Sequence, residues 1–504
     1  KNPYLWTIRG YGKPYLYDIF IGVYRRDSLL ETKTLRYGIR KVELKRSSYV
    51  QEGGSFEFHI NEQKVFLMGT NWVPTDALKG LDDKRMKKAM RLLLDLNCNA
   101  LREWGGGSYE TNAFYDFCDE NGIFVWQDFM MGCATYPQDE AFKEAIREEA
   151  TFIVKHLRNH PSICLWSGDN EGDFAYFNWC KERFSPNKEN FLTREVLPGV
   201  LKEIDTSRPY LPSSPYVDPE AESHPEFPLA EDHLWGPRDY FKGEYYRNTS
   251  CYFASETGYH ALNSPKSLQK FLKEPWPLFL ANQKEKLPTL EYLCHAVSVE
   301  KDYKSPYAYR IALMDSQVET LYEKKPTNLK DFALASQISQ AEALKYFIEK
   351  MRKDMKRDGG ILWWNLLDGW PQISDAIVDY YFDKKAAYEY VQRSQSDLLL
   401  FGDEDKTLDF YISNRLGTEK TVLAEVLDAE TGTIFFKEET SIAPYSSKKI
   451  HSTKKDDKKR LLILRLTDLE GKVYWNHFYT NLLKIDLRSY VKLMRKWHLL
   501  HKKM

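Results

Sequence analysis

At 504 residues the chain is too long for one ordinary domain, and two or three are expected. Its formal net charge of -1 gives no general attraction to nucleic acid or an anionic membrane, and no apolar run of about 18 residues offers a membrane span. The seven cysteines (98, 118, 133, 164, 180, 251 and 294) are scattered without a Cys-x-x-Cys pair, against a zinc site or a disulfide framework.

Residues 1 to about 48 read as strands and turns. "YLYDIFIGVYRR" alternates around an apolar face, and "TLRYGIRKVEL" follows a charged turn, which fits the tail of a β-sandwich begun upstream. From about 55 to 395 the pattern becomes strand, helix, strand. A first apolar run, Val65 to Met68, ends at Gly69, and 82–97 carries Met86, Ala89, Met90, Leu93 and Leu94 on one helical stripe. "NALREWG" is the second strand; "TNAFYDFCDENG" is a helix capped by Thr111 and Gly122. "IFVWQDF" is the third strand, with a long helix near 140–158. "ICLWSGDNE" is the fourth, with "FLTREVLPGVLKEID" as its helix. "RPYLPSSP", "EDHLWG", "YFASETG" and "GGILWWNLLDGWP" complete a set of eight.

Eight buried strands alternating with helices predict an α/β fold, a (β/α)8 TIM barrel. An open doubly wound sheet has no GxGxxG after its first strand to support it. Residues 400–480 return to alternation and predict a second β-sandwich, immunoglobulin-like in class. The expected units are 1–50, a sandwich tail; 51–397, the barrel; and 398–504, a sandwich with a helical tail. The basic run Lys448 to Arg460 reads as a solvated hairpin loop, and the Pro-, Lys- and Tyr-rich insertion of about 271–325 as a loop over the rim. "NTS" at Asn248 is a glycosylation sequon, meaningful only in a secreted protein.

The strand exits carry an unusual set: Asn71-Trp72, Arg102-Glu103-Trp104, Gln127-Asp128, Asp169-Asn170-Glu171, His233-Leu234-Trp235, Ser255-Glu256 and Trp363-Trp364-Asn365. Barrel active sites occupy that rim. Aromatic residues make up 14% of the chain, an excess that serves a core but also suits flat platforms for sugar faces. Glu171 and Glu256 each follow an apolar strand directly, on opposing walls of an eight-stranded barrel. Paired carboxylates are what glycoside hydrolysis requires, at about 5–5.5 Å when configuration is retained. The competing reading makes both glutamates ordinary salt-bridge partners of Arg102 and Arg238.

"GTNWVPTDAL", "NALREWGGGSYETNAFYDFCDENGIFVWQDFM", "LRNHPSICLWSGDNEGD", "FASETGY" and "GGILWWNLLDGWPQISDAIVDYY" resemble glycoside hydrolase family 2, and within it the β-mannosidases. The resemblance implies a retaining exo-β-glycosidase with Glu171 as acid/base and Glu256 as nucleophile, acting on an oligosaccharide or glycoside with neither metal nor organic cofactor. It places Asn170 on the sugar 2-hydroxyl, Trp104 and Trp364 around the sugar, and Asn71, Trp72, Asp128, His233 and Trp235 in matching rim motifs. Asp169 is expected to orient rather than catalyse, and Tyr259 or His260 is a candidate to fix the nucleophile. Neither nucleic acid nor membrane is expected as a partner. The family carries a sugar-binding jelly roll and a full sandwich before the barrel, so this chain is expected to be the C-terminal part of a longer polypeptide. "TGYHALNS" after Glu256 and "SDAIVDYYFDKK" depart from the family pattern, which touches the mannose assignment more than the chemistry. Another family 2 β-glycosidase (β-galactosidase, β-glucuronidase or exo-β-glucosaminidase) and an inactive carbohydrate-binding barrel are the alternatives.

Overall fold

The computed structural model describes residues 2–78, 82–180, 183–273, 295 and 309–501; most of the insertion read as a rim loop, 274–294 and 296–308, lies outside them. Eight parallel strands form the central sheet: β1 (Leu67–Trp72), β2 (Ala100–Glu103), β3 (Phe124–Asp128), β4 (Ile163–Ser167), β5 (Tyr210–Leu211), β6 (Glu231–His233), β7 (Phe253–Glu256) and β8 (Gly360–Trp363). Their order is β5-β4-β3-β2-β1-β8-β7-β6, a TIM barrel whose ladder runs unbroken from β5 round to β6. Across the remaining seam, between β5 and β6, side chains make the link. The Ser214 hydroxyl, just after β5, donates to Glu231 Oε1 on β6 at 2.7 Å.

Helices Asp82–Asp95, Asn112–Asn121, Glu140–Leu157, Leu197–Ile204 and Leu329–Lys353 lie between successive strands, and Ala387–Ser394 follows β8. Gly122 ends the second of these in the left-handed conformation, φ 65°. The first strand differs from expectation: it passes through Gly69 and continues to Trp72. Glycine does not stop this strand; it admits the neighbour. A Cβ on Gly69 would lie 1.7 Å from the Ala100 carbonyl oxygen of β2.

Beneath the barrel, Val42–Arg46, Phe56–Ile60 and Gln63–Val65 form a small antiparallel sheet, pairing residues on both sides of the boundary expected at 50. Phe56 and Phe58 pack against Phe124, Trp126 and Phe253, and this aromatic cluster closes the N-terminal end of the barrel. The hairpin Tyr17–Arg25 with Ser28–Tyr37 is exposed on both faces.

The C-terminal region stacks strands Leu398–Glu404, Thr407–Asn414 and Ser446–Lys454 on Lys420–Asp428, Ile434–Ile442, Leu461–Asp468 and Val473–Tyr479. Their core includes Phe410, Ile412, Val422, Leu464 and Phe478. The basic run corrects an expectation: its first half belongs to strand Ser446–Lys454. That strand lies at a sheet edge, where exposed Lys448, Lys449 and Lys454 keep a foreign strand away. The closing stretch is helical over Leu487–Lys496 and buries Tyr490, Val491 and Met494.

Candidate active site

The rim site is organised by one guanidinium. Arg102, on β2, is fully buried and donates to Asp128 Oδ2 (2.8 Å) and Oδ1 (3.3 Å), Glu256 Oε1 (2.7 Å), Asn170 Oδ1 (2.8 Å) and Asn71 Oδ1 (3.2 Å). A planar fork suits this work, because it reaches several acceptors in fixed directions. The other Glu256 oxygen, Oε2, accepts from the Trp235 indole at 2.9 Å and lies 3.4 Å from His233 Nδ1. A register shift between Asp232 and His233 sets His233 beside Glu256 across β6 and β7.

Glu171 follows β4 with φ 56° and ψ 17°, a left-handed conformation that non-glycine residues rarely take. Its backbone N–H donates to the Ser214 carbonyl, which holds the turn. The side chain is one-eighth exposed; Oε1 lies 2.7 Å from His233 Nδ1, and Oε2 accepts from the Cys133 thiol at 3.4 Å. One oxygen from each glutamate and a ring nitrogen of His233 lie within 4.8 Å of one another.

Burial pushes the Glu256 carboxyl above its ordinary value, against the pull of nearby Arg102. Burial pushes His233 down to about 3, so its imidazole is neutral and carries one ring proton. Burial also pushes Cys133 up to about 12, assisted by Glu171, so this exposed thiol stays protonated.

Trp104 and Trp364 meet edge to face at 5.1 Å, and Trp235 stands 6.3 Å from Trp364; all three rings are half-buried, and Trp235 joins this aromatic group to Glu256. Asn170 Nδ2 points to Cys133 at 3.3 Å. Glu171, Glu256, Asn170, Trp104, Trp364, His233 and Trp235 therefore converge on one site.

Three expected sugar contacts do not belong there. Trp72 lies in the hydrophobic core against Phe114 and donates to Glu110, because side chains alternate along β1 and residue 72 faces the helices. Asn71 faces inward, but its amide donates to the Ser255 and Leu362 carbonyls and its oxygen accepts from Arg102, so it pins strands together. Asp128 is fully buried and spent on Arg102, the Gly105 N–H and the Trp126 indole. Tyr259 donates to the Asp239 carbonyl and His260 pairs with Asp375, so neither fixes Glu256. Asp169 accepts from the Gly172 N–H, Ser213 and Asn190, and orients the turn.

Sequence reasoning left Arg102 as a salt-bridge candidate only, and missed Cys133, Ser214 and Glu231. The paired serines of "RPYLPSSP", at a strand exit, were the available signal for Ser214. Among the described residues a second His and carboxylate group, Asp116, Asp119 and His160, has its ligand atoms within 4.8 Å. There Asp119 is already committed to His160 and the Ser162 N–H.

Residues 54–273 match the sequence model of the TIM barrel domain of glycosyl hydrolases family 2. The match runs from just before β1 to just beyond β7. Similar proteins include Beta-mannosidase B of Neosartorya fischeri, 31% identical over 78% of this chain and 46% of its own length. Beta-mannosidase B of Thermothelomyces thermophilus is 33% identical over 78% of this chain and 47% of its own length. The chain thus spans about half the length of these curated relatives. Among solved structures, the Beta-D-Mannosidase of Dictyoglomus thermophilum superposes with TM-score 0.80 and 29% identity over 96% of this chain and 58% of that one. The exo-chitosanase of Amycolatopsis orientalis superposes with TM-score 0.73 at 16% identity over 95% of this chain and 55% of that one, a likeness of fold alone.

Proposed function

We propose that the protein is a retaining exo-β-glycosidase that removes terminal non-reducing β-D-mannose residues. The supporting observation is the carboxylate pair: one oxygen of Glu171 and one of Glu256 lie within 4.8 Å, which favours the spacing of about 5–5.5 Å in retaining enzymes over the roughly 6.5–9.5 Å of inverting ones. On this reading Glu256, aimed by Arg102 and Trp235, attacks the anomeric carbon while Glu171 protonates the departing oxygen. Glu171 then takes a proton from water as that water displaces Glu256 from the sugar. Two fixed donors stabilise the Glu256 carboxylate before attack and again as it leaves the sugar. The likeness to proteins named β-mannosidase supports mannose as the sugar.

Peptide mapping after reaction with 2-deoxy-2-fluoro-β-mannosyl fluoride tests this. An adduct on Glu256 is expected. An adduct formed only with the gluco or galacto reagent would move the substrate within the same chemistry, and no adduct with any of the three would favour the inactive barrel. In parallel, Glu171→Ala is expected to keep turnover of substrates with good leaving groups and to gain a β-glycosyl azide product with azide. Unchanged turnover of unactivated glycosides in that variant would remove Glu171 from the acid/base role.

A further inference from the structure

Behind Glu171 a line of hydrogen-bonding groups leads into the barrel wall. His233 Nδ1 is 2.7 Å from Glu171 Oε1, and its Nε2 is 3.2 Å from Ser214 Oγ, which is 2.7 Å from Glu231 Oε1. The Ser255 hydroxyl also meets Glu231 Oε1, with the Asp232 carbonyl as its other acceptor at 3.3 Å. Glu231 is 3% exposed, and its Oε2 is buried with no hydrogen-bond partner among the described residues. A dedicated serine and histidine between two glutamates, crossing the β5–β6 seam, is more than a strand link requires.

We propose that Glu231 is a positioning residue that shares one proton with Glu171 through Ser214 and His233. The proposal rests on Glu171 being the acid/base. In one arrangement Glu171 holds the proton and donates to bare Nδ1; Nε2–H donates to Ser214, and Ser214 donates to ionised Glu231. In the other, three hops have occurred: Glu171 to Nδ1, Nε2 to Ser214, and Ser214 to Glu231. Glu171 is then ionised and accepts from Nδ1–H, while Glu231 carries the proton. His233 and Ser214 each gain one proton and give one, Glu171 loses one and Glu231 gains one, so total charge is unchanged. Burial holds Glu231 up at about 7 and leaves His233 neutral, which suits both arrangements.

The charged and titratable groups facing this line come from six elements. They are Arg102 on β2, Asp128 on β3, Cys133 beyond β3, Glu171 after β4, Glu231, Asp232 and His233 on β6, and Glu256 on β7. Arg102 favours ionised Glu231, whereas Asp128 and Asp232 oppose it. Two carboxyls sharing a proton release the last one reluctantly, as coupled pairs do. With its partner ionised, Glu171 faces a bare nitrogen, and this keeps it basic enough to recover its proton from water.

The test is the pH profile of kcat/KM in the wild type, Glu231→Gln and Ser214→Ala. Glutamine keeps an acceptor for Ser214 but cannot take the proton, so the alkaline limb should move to lower pH by about one unit. Ser214→Ala should move it the same way, and the acidic limb set by Glu256 should stay. A packing role alone would lower kcat or stability without moving the limb. Alkaline limbs coincident with the wild type in both variants overturn the proposal. Imidazole 15N spectra of the wild type give a test independent of any variant. Both ring nitrogens of His233 should show averaged shifts between the two tautomers, and a single fixed tautomer at every pH refutes the relay. Azide rescue of Glu171→Ala is run alongside: its failure sinks the acid/base reading itself, whereas rescue with unmoved limbs sinks only the shared proton.

Discussion

Replacing Arg102 with methionine should be among the costliest single changes in this protein. The guanidinium is wholly buried and satisfies two buried carboxylates, Asp128 and Glu256, and two amide oxygens, Asn170 and Asn71. Removing one partner of a buried ion pair costs about 3–5 kcal/mol, because an uncompensated charge remains. Burial already pushes both carboxyls upward, so they can protonate, which keeps the loss near that range rather than twice it. Against a typical stability of about 5–15 kcal/mol this is a large fraction. Denaturant unfolding followed by tryptophan fluorescence measures it. The double variant Arg102→Met with Asp128→Asn should recover part of the loss, since it removes a stranded charge. Arg102→Lys should recover little, because a point charge cannot fork to Asp128 while reaching Glu256. A loss below about 1 kcal/mol in Arg102→Met, with no gain in the double variant, would refute the view of Arg102 as the buried organiser of the rim.

Other outcomes follow from single residues. Trp364→Ala should raise KM about tenfold or more, and Trp72→Phe should lower stability with KM unchanged, since only the first ring packs with Trp235, the indole bonded to Glu256; steady-state kinetics and thermal melts separate the two. Gly69→Ala should fail to yield soluble folded protein, because its Cβ would overlap a backbone oxygen at 1.7 Å; a soluble variant with native circular dichroism would contradict the strand spacing. Burial and nearby Glu110 push Glu103 up to about 8, so the folded state holds its proton more tightly than the unfolded chain. Stability from that proton is present below the ordinary carboxyl range near 4.5 and is lost as pH rises through about 8. Glu103→Gln should therefore flatten the fall in stability between those values, read from denaturant midpoints across pH.

How much of this was legible in the sequence depended on the direction of each side chain. The eight strands announced themselves because apolar runs ended in polar exits, and Glu171 and Glu256 stood out by following such runs directly. Trp72 was misassigned because a rim position was read without the period of two; one residue along β1, inward becomes outward. The same parity turns Glu103 and Gln127 towards Tyr115, outside the barrel. Asn71 and Asp128 do face inward, yet pattern reading does not reveal that Arg102 and the strand carbonyls consume their hydrogen bonds. The β6 register shift that brings His233 against Glu256 has no local sequence mark. Lys448 and Lys449 read as loop residues because charge signals exposure, and an edge strand exposes its side chains as a loop does.

The left-handed backbone at Glu171 has an evolutionary consequence. A non-glycine residue held there costs of order 1–3 kcal/mol, borne by the rest of the barrel for as long as the carboxylate is useful. Once a lineage stops needing the chemistry, selection no longer defends that expense, and glycine or asparagine at 171 becomes the easier choice. On the acid/base role proposed for Glu171, the identity of this one position in a relative is therefore a record of whether its ancestors kept working.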